Sequence, residues 1–316
     1  GLIMLKIIEK TKLWFALSII VIIVGLGFTI SRGLNFGIDF LGGTKVVIEL
    51  GEGVNKPEAD EIVKGIVPDA VTNEANETEY EIKAKDLDSE KVSEVFKALQ
   101  DKYSLEDNAL LSQDEIGASV GKELTRNSVI ALIVACAAML IYIAMRFEMN
   151  YGVAAIVALV HDLFITISVF AIFNIPVNTP FIAAILTIVG YSINDTIVIF
   201  DRIRENSKNM RRASATEIAN KSLTQTMSRS INTTLTTLIT IIAVNIFVPT
   251  VREFTFPLII GIAAGAYSSI CIASPVWVIL KDKRGKKSKA EQNHGDRKYA
   301  FTSGGGRFDE RKIIAV

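Results

Sequence analysis

The sequence predicts a multi-spanning α-helical membrane protein with six transmembrane helices and one small α+β extracytoplasmic domain. Three observations carry this prediction. Half of the 316 residues are hydrophobic, and many lie in apolar runs of about 18 residues or more, which is the length that crosses a bilayer as a helix. Lys plus Arg and Asp plus Glu number 34 each, yet these charges are segregated along the chain. Between the first two apolar runs, short strand and helix patterns alternate, as they do in a small folded domain.

Six apolar runs define the predicted transmembrane helices. They cover residues 13–30, 128–145, 151–173, 181–200, 231–248 and 256–280. The flank of the first run has no small-x-small cleavage site, so we expect an uncleaved helix rather than a signal peptide. The two cysteines, Cys136 and Cys271, both lie inside apolar runs, and their spacing fits neither a disulfide framework nor a zinc site.

The charges of the flanking segments predict the orientation. Residues 31–127 include 21 acidic and 11 basic residues, whereas residues 201–230 include 7 basic and 3 acidic ones. Basic residues are also in excess in the segments 1–12 and 281–316. Because cytoplasmic flanks carry the excess of lysine and arginine, we expect both termini and the 201–230 segment inside and the 31–127 domain outside. The alternative is a composition bias without topological meaning.

A glycine-rich stretch follows the first predicted helix. It runs from Gly33 to Thr44 and holds four glycines in twelve residues, which suits tight turns and close backbone approach. A phosphate-binding loop is the competing interpretation. Neither this stretch nor the run 117–123 has the Walker spacing, and Glu123 stands where the magnesium-binding hydroxyl belongs. We therefore expect no nucleotide site.

The domain at residues 31–127 reads as a β-α-β-α-β sequence. β-branched or alternating residues indicate its strands, and apolar residues at helical spacing indicate its helices, one of which has Pro57 in its first turn. The predicted strands are 45–50, 80–85 and 109–112, and the predicted helices are 57–67 and 89–103. The many acidic residues are most simply a solvated surface. A metal site is the alternative, but the domain has no cluster of His, Cys and carboxylate residues.

The third predicted span contains His161 and Asp162 in the middle of its apolar run. Ionisable residues within a membrane span are rare and commonly functional, so the pair is a candidate for a polar pathway. A buried, hydrogen-bonded structural pair is the equal alternative. A zinc protease would need a second histidine at helical spacing and a catalytic glutamate, which this span lacks.

The fourth predicted span contains a carboxylate, Asp195. A charge at the centre of a membrane helix costs ~2.5–3.5 kcal/mol on insertion scales, so this residue should face protein or a water-filled cavity. On a helical wheel Tyr191, Ser192 and Thr187 lie within about 80° of Asp195. Its neighbour Asn194 and Tyr191 join the candidate polar pathway. The opposite side of the helix, for lipid or packing, carries Leu186, Ile193 and Ile197.

The segment 201–230 is polar and basic, with an apolar residue every few positions. This pattern predicts a cytoplasmic amphipathic helix that lies along the membrane. Its basic residues either bind anionic membrane lipid or follow from the topology rule alone.

The fifth predicted span begins just after Arg229. Asn232, Thr233, Thr236 and Thr240 lie within about 60° of it on a helical wheel, which makes a polar stripe that enters the membrane. Threonine hydroxyls can bond to their own helix backbone, so a purely structural stripe is one interpretation. The other is the wall of a hydrated path, to which Thr233 and Thr236 would belong.

The sixth predicted span carries Gly261 and Gly265 among other small residues. Small residues four positions apart allow two helices to approach closely. We expect tight packing of this helix, either within the chain or against a partner.

Three stretches together resemble the SecD/SecF family, membrane subunits of the bacterial Sec protein-translocation machinery that are related to the resistance-nodulation-division (RND) transporters. The resemblance covers about residues 4–281, and its most specific part is the last of the three stretches. They are Phe36–Gly43 (FGIDFLGG), Val120–Leu124 (VGKEL) and Gly190–Asn206 (GYSINDTIVIFDRIREN). Many relatives have Gly-Pro before the second stretch, whereas here Gly117 is followed by Ala118.

The resemblance implies an RND-like protein in the plasma membrane of a bacterium or archaeon. It implies pairing with a SecD-like subunit into a twelve-helix unit, association with the SecYEG channel, and action on exported polypeptide substrates. The energy source would be the proton gradient, with no cofactor. Neither an enzymatic activity nor a nucleic-acid partner is expected.

The resemblance also implies roles for single residues. The family's proton path includes the aspartate of the Asn-Asp-Thr motif and the arginine that opens the following helix, which match Asp195 and Arg229. A further aspartate would come from the SecD-like subunit. The glycine motifs would form hinges that pass a shift of the helices to the external domain. The matching motif positions are Gly37, Asp39, Gly42, Gly43 and Gly121.

Two other classes of function compete. One is half of an RND-type small-molecule exporter; such exporters usually have twelve spans and two large external domains, so a partner half would be needed. The other is a non-catalytic assembly subunit in which Asp195 and Arg229 form a structural ion pair. An enzyme is weakly supported, because the sequence has no nucleophile, metal or phosphate constellation.

Overall fold

The computed structural model describes residues 4–51, 54–74 and 78–284. Six helices in this part of the chain are long and apolar enough to cross a membrane, and a small four-stranded sheet accompanies them. The predicted fold class is therefore confirmed. Most of the predicted basic tail, residues 285–316, lies outside the described residues, as do residues 1–3 of the predicted N-terminal segment.

The helices extend beyond the predicted apolar runs, because their polar ends continue the same helix. In chain order they are α1 (Thr11–Arg32), α2 (Ile38–Leu41), α3 (Lys56–Ile66), α4 (Ser89–Tyr103), α5 (Ala118–Arg146), α6 (Met149–Phe173), α7 (Thr179–Asn209), α8 (Ala215–Phe247) and α9 (Arg252–Ser268). A 3₁₀ turn precedes α1 and another precedes α9. After α9 the helix continues through a π turn, Ser269–Ala273, to Arg284.

The segment 201–230 differs from the predicted single helix along the membrane. Its first part is the end of α7 and its second part is the start of α8, so the two helices form a hairpin. Ser214 caps α8: its hydroxyl accepts from the backbone N–H of Glu217, whose side chain accepts from the backbone N–H of Ser214. The helical periodicity was correct, but this capping box, a serine followed three residues later by a glutamate, marks a helix start that the prediction missed.

The centre of the helix bundle is formed by α6, α7 and α9. Of their most apolar windows, 44% of the residues are buried in α6, 44% in α7 and 61% in the span containing α9. The corresponding share is only 6% in α5 and 11% in each of α1 and α8. The uncovered apolar surface of these helices faces lipid or another chain. The bundle therefore has a packed centre and three weakly covered helices.

Glycines on one face of α9 allow it to pack closely against α7. A Cβ atom built on Gly261 would overlap the side chain of Ile188, and one on Gly265 would lie 3.1 Å from the Cβ of Ser192. The two glycines are one helical turn apart, so they form a single contact strip. The small-residue pattern thus serves packing within the chain.

The domain between α1 and α5 has the chain order β-α-β-β-α-β. Its strands are β1 (Gly43–Glu49), β2 (Val71–Glu74), β3 (Glu79–Ala84) and β4 (Leu110–Ile116), in the sheet order β2-β3-β1-β4 with every pair antiparallel. This is the split β-α-β arrangement. The buried side chains of Tyr80, Ile82 and Ala84 in β3 alternate with Glu81 and Lys83 on the opposite face.

Two elements of this domain were missed by the prediction. β2 has only four residues, reads Val-Thr-Asn-Glu and lies at the sheet edge without a buried residue, so it has neither apolar alternation nor length. The helix α2 is a single turn between glycines, in a stretch that glycine content alone marked as irregular. Both were predictable only from their neighbours in space.

Candidate functional site

Asp195 lies on α7 where this helix meets α8. Its side chain is half-buried, and its Oδ1 accepts a hydrogen bond of 2.8 Å from the hydroxyl of Ser230. The other oxygen, Oδ2, is buried and has no hydrogen-bond partner in the described part of the chain. A buried polar atom without a partner is costly, and more so when it carries charge. The site is therefore one hydrogen-bonding group short.

Arg229, the predicted partner of Asp195, precedes Ser230 on α8 but is exposed. The two charged groups form no ion pair in the structure; the serine contacts the carboxylate instead. Arg229 is therefore next in sequence to the residue that contacts Asp195, but its own guanidinium forms no ion pair with that carboxylate. This geometry lacks the contact that a purely structural Asp195–Arg229 pair would need.

The other candidates on α7 and α8 separate into two groups. Tyr191 bridges the helices, since its hydroxyl donates 3.0 Å to Thr237 Oγ1 and lies 3.3 Å from the backbone oxygen of Thr233. Thr233 and Thr236 are exposed, and their hydroxyls bond to backbone oxygens of their own helix. The threonine stripe thus satisfies itself, as the structural interpretation expects.

Asn194 lies on the opposite side of Asp195 from α8. Its exposed side chain lines a groove of about 410 Å³ between α5 and α7, together with Gly190 and Tyr142. The structure thus does not bring Asn194 together with the Ser230 side of Asp195. Its place in a common polar pathway stays a prediction.

Ser192 faces a different neighbour from Asp195, although both lie on the predicted polar side of α7. Its hydroxyl donates to Oδ2 of Asp162 on α6. The hydroxyl of Ser268 on α9 donates to the same oxygen at 2.8 Å. Asp162 is fully buried and therefore joins three helices at one carboxylate. Ile193, predicted to lie opposite the polar side, packs in the same interior.

His161 extends this cluster to a fourth helix. Its Nδ1 lies 2.9 Å from Oδ1 of Asp162, and its Nε2 lies 2.8 Å from the hydroxyl of Ser18 on α1. The imidazole ring stacks on the ring of Tyr267 at 5.8 Å between centroids. The structure thus unites the predicted pair His161–Asp162 in one buried network, but separates it from the Asp195–Ser230 contact.

The π turn of the sixth span begins next to this cluster. Ser269, its first residue, exchanges a hydrogen bond of 2.8 Å with Thr196 on α7. π turns within α-helices are uncommon and occur frequently at functional sites. The irregular backbone therefore lies where α7 and α9 share polar contacts.

Sequence reasoning missed the hydroxyl groups that complete these contacts. They are Ser18, Ser230, Tyr267 and Ser268. Each is a polar residue within or next to an apolar run, which is a weak signal that only its neighbours in space make meaningful.

The glycine motif joins the sheet domain to the helices. Gly37 donates its N–H to the backbone oxygen of Val177 at 2.9 Å, in the loop between α6 and α7. A Cβ on Gly37 would overlap the side chain of Asn178 in the same loop. The carboxylate of Asp39 accepts from the backbone N–H of Thr179 at 2.9 Å, and so caps α7. The motif is therefore fastened to the start of the Asp195 helix.

The remaining motif glycines permit close backbone contact. Gly42 and Gly43 have φ values of +84° and +145°, which side-chain-bearing residues rarely adopt. A Cβ on Gly43 would lie 2.6 Å from the backbone oxygen of Ala84, and one on Gly121 would lie 2.6 Å from that of Phe40. The motif thus contacts both β3 and the first turns of α5.

Charged side chains connect the sheet to the start of α9. Lys83 Nζ lies 3.0 Å from a carboxylate oxygen of Glu81 and 2.7 Å from Oε1 of Glu253. Burial opposes the charge on Lys83, but the carboxylates of Glu253 and Glu81 outweigh it and raise the pKa of this ammonium group. Asn178 donates 3.2 Å to the other oxygen of Glu253. The sheet domain is therefore bonded to the helix that carries Ser268.

Comparisons with known proteins identify similar chains. The family described as protein export membrane protein SecD/SecF, C-terminal, matches residues 95–283, and the SecD/SecF GG motif matches residues 27–54. A protein translocase subunit SecF from Sebaldella termitidis is 37% identical over 302 residues, which cover 92% of this chain and 96% of that protein. A SecDF subunit from Bacillus subtilis is 35% identical over 90% of this chain.

The fold is also similar to a solved structure. The crystal structure of SecDF from Thermus thermophilus, described as a translocon-associated membrane protein, superposes with a TM-score of 0.75 at 32% identity over 89% of this chain. The chain spans about two fifths of the length of these SecDF proteins, 39% in each case, but nearly the whole length of the SecF subunit.

Proposed function

Because the chain belongs to the SecD/SecF family of protein export membrane proteins, we propose that it uses the proton gradient to promote translocation, with Asp195 as a proton carrier. The chain is a multi-pass membrane protein with a role in protein translocation by the Sec system. The family is an accessory subunit of the translocase and not a classical enzyme. The proton gradient would supply the energy without a cofactor.

One observation carries the proposal: the buried Oδ2 of Asp195 has no partner among the described residues. Three groups could satisfy this oxygen, namely a proton on the carboxylate, the guanidinium of Arg229, or a donor from another chain. Arg229 precedes Ser230, which contacts Asp195, so a modest shift of α8 would bring the guanidinium of Arg229 to this carboxylate. Proton and guanidinium would then compete for one carboxylate. Each proton that crosses 100 mV releases about 2.3 kcal/mol to drive such a shift.

A SecD-like subunit is the proposed partner. Its support is the poor coverage of α1, α5 and α8, whose apolar windows are only 11%, 6% and 11% buried within this chain. Of these, α5 and α8 pack against α7, which carries Asp195. A second six-helix half packed on these helices would enclose the α7–α8 face that carries Asp195, and would supply the further aspartate that the family resemblance implies. The resulting unit would act beside the SecYEG channel on exported polypeptides.

The proposed orientation places both termini and the α7–α8 hairpin in the cytoplasm and the sheet domain outside. The excess of basic residues in residues 201–230 and of acidic residues in residues 31–127 supports this orientation. Movement of α7 would then be transmitted to the sheet domain through Asp39, which caps α7. Movement of α9, which packs on α7, would be transmitted through the bond between Glu253 on α9 and Lys83 on β3.

Export assays in membrane vesicles that contain the chain, its SecD-like partner and SecYEG test the proposal. Asp195→Asn should abolish the part of export that an uncoupler abolishes in the wild type. Asp201→Asn, an exposed carboxylate on the same helix, is the matched control and should retain it. Gradient-dependent export that is unchanged in Asp195→Asn would refute the role of this residue.

A further inference from the structure

His161 and Asp162 form a titratable pair in the bundle centre, separate from Asp195. Their exposed fractions are 6% and 0%, and no lysine or arginine contacts them in the part of the chain that the structure describes. Asp195 bonds to α8, whereas Asp162 bonds to α7 and α9. A buried charge without an opposite charge is expensive, so the number of protons on this pair matters.

The hydrogen bonds around the pair determine that number. The hydroxyl of Tyr267 has one hydrogen and donates it to the backbone oxygen of Trp14 at 2.8 Å. The 3.3 Å bond between Ser18 and Tyr267 must therefore use the hydrogen of Ser18. Ser18 Oγ is then the acceptor in its 2.8 Å contact with His161, so Nε2 carries a hydrogen.

The second contact of the imidazole needs a hydrogen as well. Nδ1 of His161 and Oδ1 of Asp162 are 2.9 Å apart, a hydrogen-bond distance that requires one proton between them. The other oxygen, Oδ2, contacts the hydroxyls of Ser192 and Ser268, and the Ser268 hydroxyl also lies 3.1 Å from the backbone oxygen of Gly265. With Nε2–H fixed, the pair holds one proton more than a neutral histidine beside a carboxylate.

We propose that the His161–Asp162 pair is a proton-binding site of the membrane region. In the loaded state the pair is neutral overall, with hydrogens on Nε2 and between Nδ1 and Oδ1. On release, the Nε2–H bond breaks and its proton passes to Ser18 Oγ, and the hydrogen of Ser18 passes to Tyr267 Oη. The hydrogen of Tyr267 leaves its bond to the backbone oxygen of Trp14 and passes to a water molecule. The shared proton stays on Nδ1, and the pair becomes an imidazole beside a carboxylate.

Release has one structural signature. Nε2 becomes an acceptor, Ser18 then donates to it, and Tyr267 donates to Ser18 instead of to the backbone oxygen of Trp14. The other titratable groups near the pair lie on the sixth span and are Tyr267 and Cys271; Ser18 is the only polar contact from α1 that the described residues make with it. Among the residues that the structure describes, no further acid or base lies within hydrogen-bond reach of the pair.

Proton release changes the bonds between helices. Ser192 of α7 and Ser268 of α9 both donate to Oδ2 of Asp162, and hydrogen bonds to an ionised acceptor are about twice as strong as neutral ones. Release removes the positive charge of the imidazolium beside Asp162, so the donors Ser192, Ser268 and Nδ1–H alone then stabilise the carboxylate that joins α6, α7 and α9. The adjacent π turn, Ser269–Ala273, gives α9 a place to adjust.

Nitrogen-15 NMR of histidine tests the site directly, because the chain has only two histidines, His161 and His294. In a His294→Gln chain, full length and in lipid nanodiscs, the imidazole signals belong to His161 alone. We expect the Nε2–H form at the acidic end of a titration from about pH 4 to pH 10 and the Nδ1–H form at the other end. A single unchanged form across this range would overturn the proposal.

Three variants show which residues belong to the site. Ser18→Ala removes the Nε2 acceptor and should change the pH at which the His161 signals convert, whereas Ser31→Ala, an exposed serine on the same helix, should not. An unshifted midpoint in Ser18→Ala would remove Ser18 from the site. Asp195→Asn should leave the titration of His161 in place, so the site can be confirmed even if the role proposed for Asp195 is refuted. Should Ser18→Ala fail to fold, the titration of the His294→Gln chain still shows whether His161 binds and releases a proton.

Discussion

Lys83 on β3 places its ammonium nitrogen 2.7 Å from the carboxylate of Glu253, the second residue of α9. Both side chains are largely buried, with exposed fractions of 14% and 22%. The same carboxylate accepts from Asn178 in the loop that precedes α7. One glutamate thus links the four-stranded sheet to the two helices that bond to Asp162.

Removing this ion pair should loosen the domain from the helices. In a double-mutant cycle with Lys83→Met and Glu253→Gln, we expect a coupling of about 1–2 kcal/mol, because hydrogen bonds between charged, mostly buried groups contribute about 1.5–3 kcal/mol before screening. Hydrogen exchange of the β3 amides measures the opening free energy of each variant, from which the coupling is calculated. The exposed pair Lys102–Glu58 is the control, and its coupling should be smaller than that of Lys83–Glu253. Equal couplings for both pairs would contradict the expectation.

Acid should destabilise the sheet domain through Glu81. Burial opposes the charge on this residue, but its ion pairs with Lys83 and Lys45 outweigh burial and hold its pKa below the ordinary value of 4.5. A carboxyl whose pKa is lower in the folded state stabilises the fold above the unfolded pKa and loses that contribution as the pH falls through the folded pKa.

Its contribution to the unfolding free energy should therefore be constant near neutral pH and decline below about pH 4.5. Chemical denaturation of the full chain at several pH values, followed by the hydrogen exchange of β1 and β3, measures this. Glu81→Gln should weaken the acid-dependent decline, and Glu94→Gln, on an exposed position of α4, should not. The same profile in all three proteins would rule out Glu81 as the source.

Gly43 should tolerate no side chain. Its φ of +145° disfavours any residue with a Cβ, and the added atom would lie 2.6 Å from the backbone oxygen of Ala84. We expect Gly43→Ala to destabilise the domain by about 2 kcal/mol or more, as measured by denaturation. Gly65→Ala is the control: nothing lies within 4 Å of its Cβ in helix α3, so it should stabilise by up to about 1 kcal/mol. Similar stability of the two variants would argue against the strain.

Gly261 should be equally sensitive within the bundle. A methyl group there would overlap Ile188 of α7, and packed helices cannot absorb such an overlap without moving apart. We expect Gly261→Ala to lower the thermal unfolding temperature of the chain in detergent by several degrees, corresponding to about 1–3 kcal/mol. Gly190→Ala, which meets nothing within 4 Å, should leave that temperature within about one degree. If Gly190→Ala lowered the unfolding temperature and Gly261→Ala did not, the overlap with Ile188 would not be the cause of the effect.

The sequence was sufficient for the architecture because each element has its own periodicity. Apolar runs of spanning length located six helices, and the strand and helix patterns located five of the six strands and helices that make up the β-α-β-β-α-β order. The sixth, β2, exists because β3 offers it backbone partners from Thr72↔Ile82 to Glu74↔Tyr80. A four-residue polar edge strand has no local signal of its own.

The site was predictable by residue type but not by contact. An intramembrane carboxylate marked Asp195 and Asp162 from the sequence alone. A helical wheel gives the direction of a side chain and not its neighbour, so Ser192 and Asp195 seemed to share a face although they bond to different helices. Likewise the sequence pointed to Arg229 as the partner of Asp195, but the next residue, Ser230, makes the contact. The roles of these residues in proton movement stay predictions.

The hairpin of α7 and α8 has a mechanical consequence. With 31 residues, α7 is about 46 Å long, whereas the hydrocarbon core of a bilayer is about 30 Å thick, so part of the hairpin extends outside the core. Asp195 precedes the end of α7 at Asn209 by about 21 Å along the axis. If α7 tilts by about 5° around Asp195, that end is displaced by about 2 Å, more than enough to change a side-chain contact. A lever arm of this length converts a small rearrangement at one carboxylate into a displacement large enough for another protein to detect.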